Sequence, residues 1–114
     1  MTVHTIKSLD QFKETIAQNP LVFIDAFATW CGPCKAIAPQ VVKWSEEAEF
    51  SGIYFAKFDV DDVPDLATEL GVTAMPTFFF FKDGAKVNEF KGASPPSVQK
   101  LLTALASGGV SGSA

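Results

Sequence analysis

The chain reads as a single α/β domain, one mixed sheet of five strands with helices available for both faces in the order βαβαβαββα. Three features point there. Short apolar runs rich in β-formers alternate with stretches at helical spacing. An Asp83-Gly84 pair separates the last two strand-like runs, and no shift in composition marks a second domain before a Gly/Ser-rich end. At 114 residues and 47% apolar content, the chain is long enough to bury one core without a metal or structural disulfides.

Residues 3–6 supply a leading strand. Ser8 and Gln11 have capping-box spacing, Leu9, Phe12 and Ile16 follow at helical intervals, and Asn19-Pro20 stops the pattern, so a helix is expected over 9–18. The run 21–27 fits a strand buried on both faces, although Asp25 interrupts it. Ile37, Val41, Trp44 and Ala48 then mark one face of a helix that begins near Pro33 and is expected to kink at Pro39. A strand over 53–59, a helix over 63–70 ended by Gly71, and a strand over 77–82 follow. The last contains four consecutive phenylalanines, Phe78, Phe79, Phe80 and Phe81, which belong in the core but suggest no function. Asp83-Gly84 makes the strands 77–82 and 86–91 an antiparallel hairpin. Ser94-Pro95 caps a final helix carrying Val98, Leu101, Leu102 and Leu105. The domain is expected over 1–107, with 108–114 a flexible tail.

Nine basic and thirteen acidic residues give a net charge of −4, with no basic run to track a phosphate backbone or an anionic membrane. Nucleic acid and membrane are therefore not expected partners. No stretch approaches the roughly 18 apolar residues of a membrane span, and the first residues lack the pattern of a secretory signal, which suggests a cytoplasmic chain. In that reducing compartment a close cysteine pair is expected to be catalytic or metal-binding.

Cys31 and Cys34 enclose Gly32 and Pro33 at the start of the second helix. Proline suits a first helical turn, where its missing N–H has no partner to lose, and the spacing puts both sulfurs on one face. Unpaired N–H groups and the helix dipole favour a thiolate there, and in such motifs lower a cysteine pKa from about 8.5 toward about 7. Nucleophilicity falls with basicity, so the net gain in rate is only about a few-fold. A second thiol held ready to resolve a mixed disulfide matters more. Cys31, nearer the loop, is expected to attack and Cys34 to resolve. A zinc site is short of ligands with two Cys and a distant His4, and a purely structural disulfide across so short a loop stabilises little.

Asp25 lies among apolar residues, where an unpartnered carboxylate is costly. Desolvation should raise its pKa, and Lys57 on the next strand could pair with it and partly restore its charge. Asp25 is a candidate to take the proton from Cys34, through a water, as Cys34 attacks the mixed disulfide. The plain alternative is an exposed Asp at a strand end. For Met75-Pro76, base rates alone favour a trans bond.

Trp30-Cys31-Gly32-Pro33-Cys34-Lys35, with Asp25 before it and Pro39, Met75-Pro76-Thr77, Asp83-Gly84 and Gly92 after it, resembles the thioredoxin family, particularly its fungal cytosolic type. The resemblance spans residues 3–105. It implies the thioredoxin fold, with five strands flanked by four helices, and a protein-disulfide reductase and electron carrier. It also implies a cis bond before Pro76, beside the cysteines. Target peptides would bind in extended form at Trp30, Gly32, Pro33, Thr73, Ala74, Met75, Pro76, Gly92 and Ala93, although Gly92 and Ala93 also read as an ordinary turn. An NADPH-dependent flavoprotein, thioredoxin reductase, would regenerate the dithiol. Targets in the family include peroxiredoxins, methionine sulfoxide reductases and ribonucleotide reductase. No cofactor or metal is expected on the chain, which has no Gly-rich phosphate loop. Ala26 and Phe27 depart from the residues relatives often carry, and neither is expected to touch the chemistry. The competing readings are a redox-independent binding module presenting Trp30 and the Pro76 loop, and a disulfide oxidase or isomerase, which Pro33 argues against.

Overall fold

The computed structural model describes residues 2–108, so most of the proposed tail lies outside the described residues. The elements run β1 (His4–Thr5), α1 (Leu9–Gln18), β2 (Leu21–Phe27), α2 (Gly32–Glu46), a 3-10 turn (Ala48–Phe50), β3 (Tyr54–Asp59), α3 (Pro64–Leu70), β4 (Thr77–Lys82), β5 (Ala85–Lys91) and α4 (Pro95–Ala106). One sheet has the order β1-β3-β2-β4-β5, with β1, β3 and β2 parallel and β4 and β5 antiparallel additions.

The alternation of side chains along each strand divides the core in two. Phe23, Phe55, Phe78 and Phe80 face Ile37, Val41 and Trp44 of α2 and Val98, Leu102 and Leu105 of α4. Val22, Ile24, Ala56, Phe58, Phe79 and Phe81 face Phe12 of α1 and Leu66 of α3. The phenylalanine run thus has a packing explanation: β4 is an inner strand covered by helices on both sides, so every position from Phe78 to Phe81 is buried. Asp25 shares the α2 side of β2 with Phe23 and stands level with Lys57 on β3 and Phe78 on β4.

Local chemistry sets the boundaries. Ser8 Oγ accepts from Gln11 N at 3.0 Å, while Gln11 Oε1 accepts from Lys7 N at 2.8 Å, one residue earlier than a symmetric capping box requires. Asp83 and Gly84 both take positive φ, 52° and 83°, as a two-residue hairpin demands. Gly71 ends α3 in the left-handed region at φ 69°. Pro39 lies inside α2 without ending it. Two expectations need correction. Helix α2 ends at Glu46, leaving Ala48 exposed in the 3-10 turn and not on the buried face. Ser94 holds the N-cap position of α4, but its hydroxyl pairs with Ser97 Oγ at 3.0 Å and not with the helix backbone.

Candidate active site

The parallel strands β3 and β2 end together, and the chain leaves β2 through Ala28, Thr29 and Trp30 into α2. Cys31 is the N-cap of α2 and Cys34 its third helical residue. The Cys31 sulfur accepts from Cys34 N at 3.1 Å, doing for the open helix end what a serine or aspartate oxygen usually does. The two cysteines form a disulfide, with Cα atoms 5.3 Å apart. Both residues are only 5% exposed, so accessibility does not separate an attacking from a resolving sulfur. Their neighbours do. Cys31 Sγ lies 3.6 Å from the Met75 carbonyl oxygen, on the surface loop, whereas Cys34 lines a cleft of about 250 Å³ with Asp25, Thr29, Lys35 and Lys57.

The plain alternative for Asp25, an exposed strand end, is excluded: it is buried, and its Oδ1 has no hydrogen-bond partner. Burial pushes its carboxyl up from 3.8 to about 7, and the positive charge of Lys57 pulls it partly back. Lys57 was expected to pair with it. Instead, the one ion pair among the described residues is Lys86–Glu89, and the Lys57 ammonium lies over the Phe27 ring, 5.8 Å from its centroid. Lys57 therefore acts on Asp25 through space and not by contact. Phe27 packs against the two cysteines, behind the motif, while Ala26 lies in the core on the α1 side.

The peptide between Met75 and Pro76 is cis, as the resemblance implies and against the base rate. Met75 packs on the cysteine pair, and Gly92 N donates to Pro76 O at 2.9 Å, which draws the turn after β5 to the same edge. Gly92 has φ 113°, a conformation that excludes most side chains. Lys91 Nζ donates to Thr73 Oγ1 at 3.2 Å, and Thr73 and Ala74 are exposed. Gly32 and Pro33 are exposed on the other side of the disulfide. Trp30 is 65% exposed and its Nε1 donates to Asp61 Oδ2 at 2.9 Å. Ala93 is half-buried and packs toward the α4 side of the core. Asp61 was missed in the sequence, because nothing in an acidic stretch after a strand announces an acceptor for an indole 31 residues earlier.

A cysteine pair closed as a disulfide at a helix start, with an acid of raised pKa behind it, marks a thiol-disulfide oxidoreductase. The family model for Thioredoxin matches residues 3–105, and the chain belongs to that family. It is 51% identical over 104 residues to Thioredoxin-2 of Pyricularia oryzae, covering 91% of this chain but 60% of that protein. It is 48% identical to Thioredoxin Asp f 29 of Aspergillus fumigatus, covering 90% of this chain and 94% of that one. The crystal structure of Malassezia sympodialis thioredoxin superposes with TM-score 0.88 at 43% identity, covering 92% and 91% of the two chains. The oxidised form of mitochondrial thioredoxin 3 from Saccharomyces cerevisiae gives 0.86 at 40% identity, covering 90% and 95%.

Proposed function

We propose that the dithiol form reduces disulfides in target proteins in two steps, with Cys31 attacking and Cys34 resolving. The Cys31 thiolate attacks one target sulfur, forms a mixed disulfide and expels the other target sulfur as a thiolate. Cys34 then attacks Cys31, the mixed disulfide breaks, and the second target thiolate leaves as the Cys31–Cys34 bond forms. Asp25 takes the Cys34 proton, across the cleft they share. The observation that carries this assignment is the split in environment: the Cys31 sulfur has a backbone N–H and the exposed loop, and Cys34 has the acid.

Target chains dock in extended form against Trp30, Gly32, Pro33 and the 73–76 loop, with Gly92 and Ala93 at its edge. A flavoprotein thioredoxin reductase using NADPH returns two electrons, and peroxiredoxins, methionine sulfoxide reductases and ribonucleotide reductase are the target classes to test first. The site of action is the cytoplasm, where a reductant of this kind stays supplied with electrons. Since one similar structure is a mitochondrial protein, fractionation of a tagged chain is the check. No helix among the described residues is long and apolar enough to cross a membrane.

The test is trapping. Cys34→Ser should accumulate a mixed disulfide through Cys31, whereas Cys31→Ser should trap nothing. Equal trapping by both variants overturns the order of attack. Asp25→Asn should slow release of the trapped target in the chain with both cysteines, and release unchanged from pH 6 to 9 removes the proton acceptor. Activity retained by the double Cys31→Ser, Cys34→Ser variant would favour a binding module.

A further inference from the structure

Phe27 ends β2 on the face that carries Asp25, beside the cysteine pair. It walls two adjoining clefts that share Lys57. One, of about 250 Å³, holds Asp25 and Cys34; the other, of about 540 Å³, holds Asp59, Asp62 and Lys7. Lys57 is the register partner of Asp25, and Phe27 that of Asp59. The lysine ammonium therefore has three places to go: the Asp25 carboxyl, the Asp59 and Asp62 side, or the ring between them. It lies over the ring, at 5.8 Å from the centroid, and makes no ion pair with Asp25 although Asp25 Oδ1 is unpartnered.

We propose that Phe27 is a positioning residue whose ring holds the Lys57 ammonium away from Asp25 and so sets the pH at which Asp25 gives and takes its proton. A ring face attracts a cation through its quadrupole, and more strongly where water is thinned. While Asp25 is protonated it offers no charge to compete for the ammonium. On ionising, the carboxylate must draw the ammonium off the ring or do without it, and either outcome costs the ionised form. The other charged or titratable groups around the two clefts are Lys35 and Cys34 from α2, Asp59 from β3, Asp62 from the loop after it and Lys7 before α1; β4 places Phe78 level with Asp25. None of them has an ion pair with Lys57. The consequence for catalysis rests on the reading of Asp25 as proton acceptor; the link from Phe27 to Asp25 does not.

The experiment is a carbon-13 NMR titration of the Asp25 carboxyl in the oxidised protein, where the cysteines do not titrate. Phe27→Leu should lower the midpoint by about 0.5 to 1 pH unit, as the ammonium closes on the carboxylate. Phe27→Tyr, which keeps the ring face, should leave it at the wild-type value. In a Lys57→Met background, Phe27→Leu should change nothing. Phe27→Met is a second ring-free variant should the leucine chain not fold. An unmoved midpoint in the ring-free variants overturns the proposal, and so does an equal fall in the Lys57→Met background, which would mean that admitted water acts and not the cation. If the midpoint moves as expected but the pH profile of target release does not, the link from Phe27 to Asp25 stands and the proton-acceptor role of Asp25 falls.

Discussion

Replacing Asp25 by Asn keeps the shape of a buried side chain and removes its charge, so it should change how stability depends on pH. The carboxyl titrates near 7 in the fold against 3.8 for an ordinary aspartate. Below about pH 3.8 the folded and unfolded chains both carry it protonated. Between there and about 7 the unfolded chain ionises it while the fold keeps the proton, so unfolding releases a proton and stability falls as pH rises. Above about 7 both forms are ionised, and the loss is complete at about 4 kcal/mol. The assay is urea unfolding of the oxidised protein at intervals from pH 4 to 9, for wild type and Asp25→Asn. At the acid end the variant should hold no large advantage, since its amide brings N–H donors to a site that lacked a partner even for Oδ1. Its advantage should then grow steadily and level off above about pH 8. Two curves that stay parallel over the whole range would refute the reasoning, because the acid would then ionise as easily inside the fold as outside it.

The site makes further predictions. Gly92→Ala forces a Cβ onto a residue at φ 113°, and since the nearest atom, Phe90 Cε2, is at an ordinary 3.8 Å, the cost is conformational, about 1 to 2 kcal/mol. The urea midpoint should fall without a change in m-value, and reduction of a protein disulfide should slow, because Gly92 N holds the Pro76 loop. Asp61→Ala frees the Trp30 indole. Its expected signature is stability within about 0.5 kcal/mol of wild type together with a severalfold rise in KM for a protein target, and an unchanged KM would leave that hydrogen bond without a role in docking.

Much of the architecture could be read from residue types because local signals and the global fold agree. Ser8 and Gln11 begin α1 and Asn19-Pro20 follow its end, and its limits were read to the residue. The apolar runs of β2 and β4 were read equally well, since inner strands covered on both faces carry little else. Agreement weakens where one partner is missing. The edge strand β1 pairs only with β3 and shrinks to His4–Thr5. Ala48 fitted a helical spacing that a small side chain satisfies on either side of a helix end.

In the site, the cysteine pair and the cost of burying Asp25 were legible as chemistry. The position of the Lys57 ammonium was not, because a four-carbon stem reaches a carboxylate or a ring, and only the packed structure decides between them. The cis bond before Pro76 was beyond composition and spacing and came through the resemblance alone. Asp61 left no trace at all, being one of several acids in a short exposed stretch.

The most direct test of the chain as a disulfide reductant is the redox potential of the Cys31/Cys34 couple, measured by equilibrating the protein in glutathione or dithiothreitol buffers and quantifying the dithiol fraction. Thirty millivolts correspond to about 1.4 kcal/mol for two electrons, so reducing and oxidising members of the fold are well separated. The account predicts a value near about −270 mV, the range characteristic of thioredoxins. A value above about −180 mV would contradict it and make the chain a donor of disulfides in spite of Pro33.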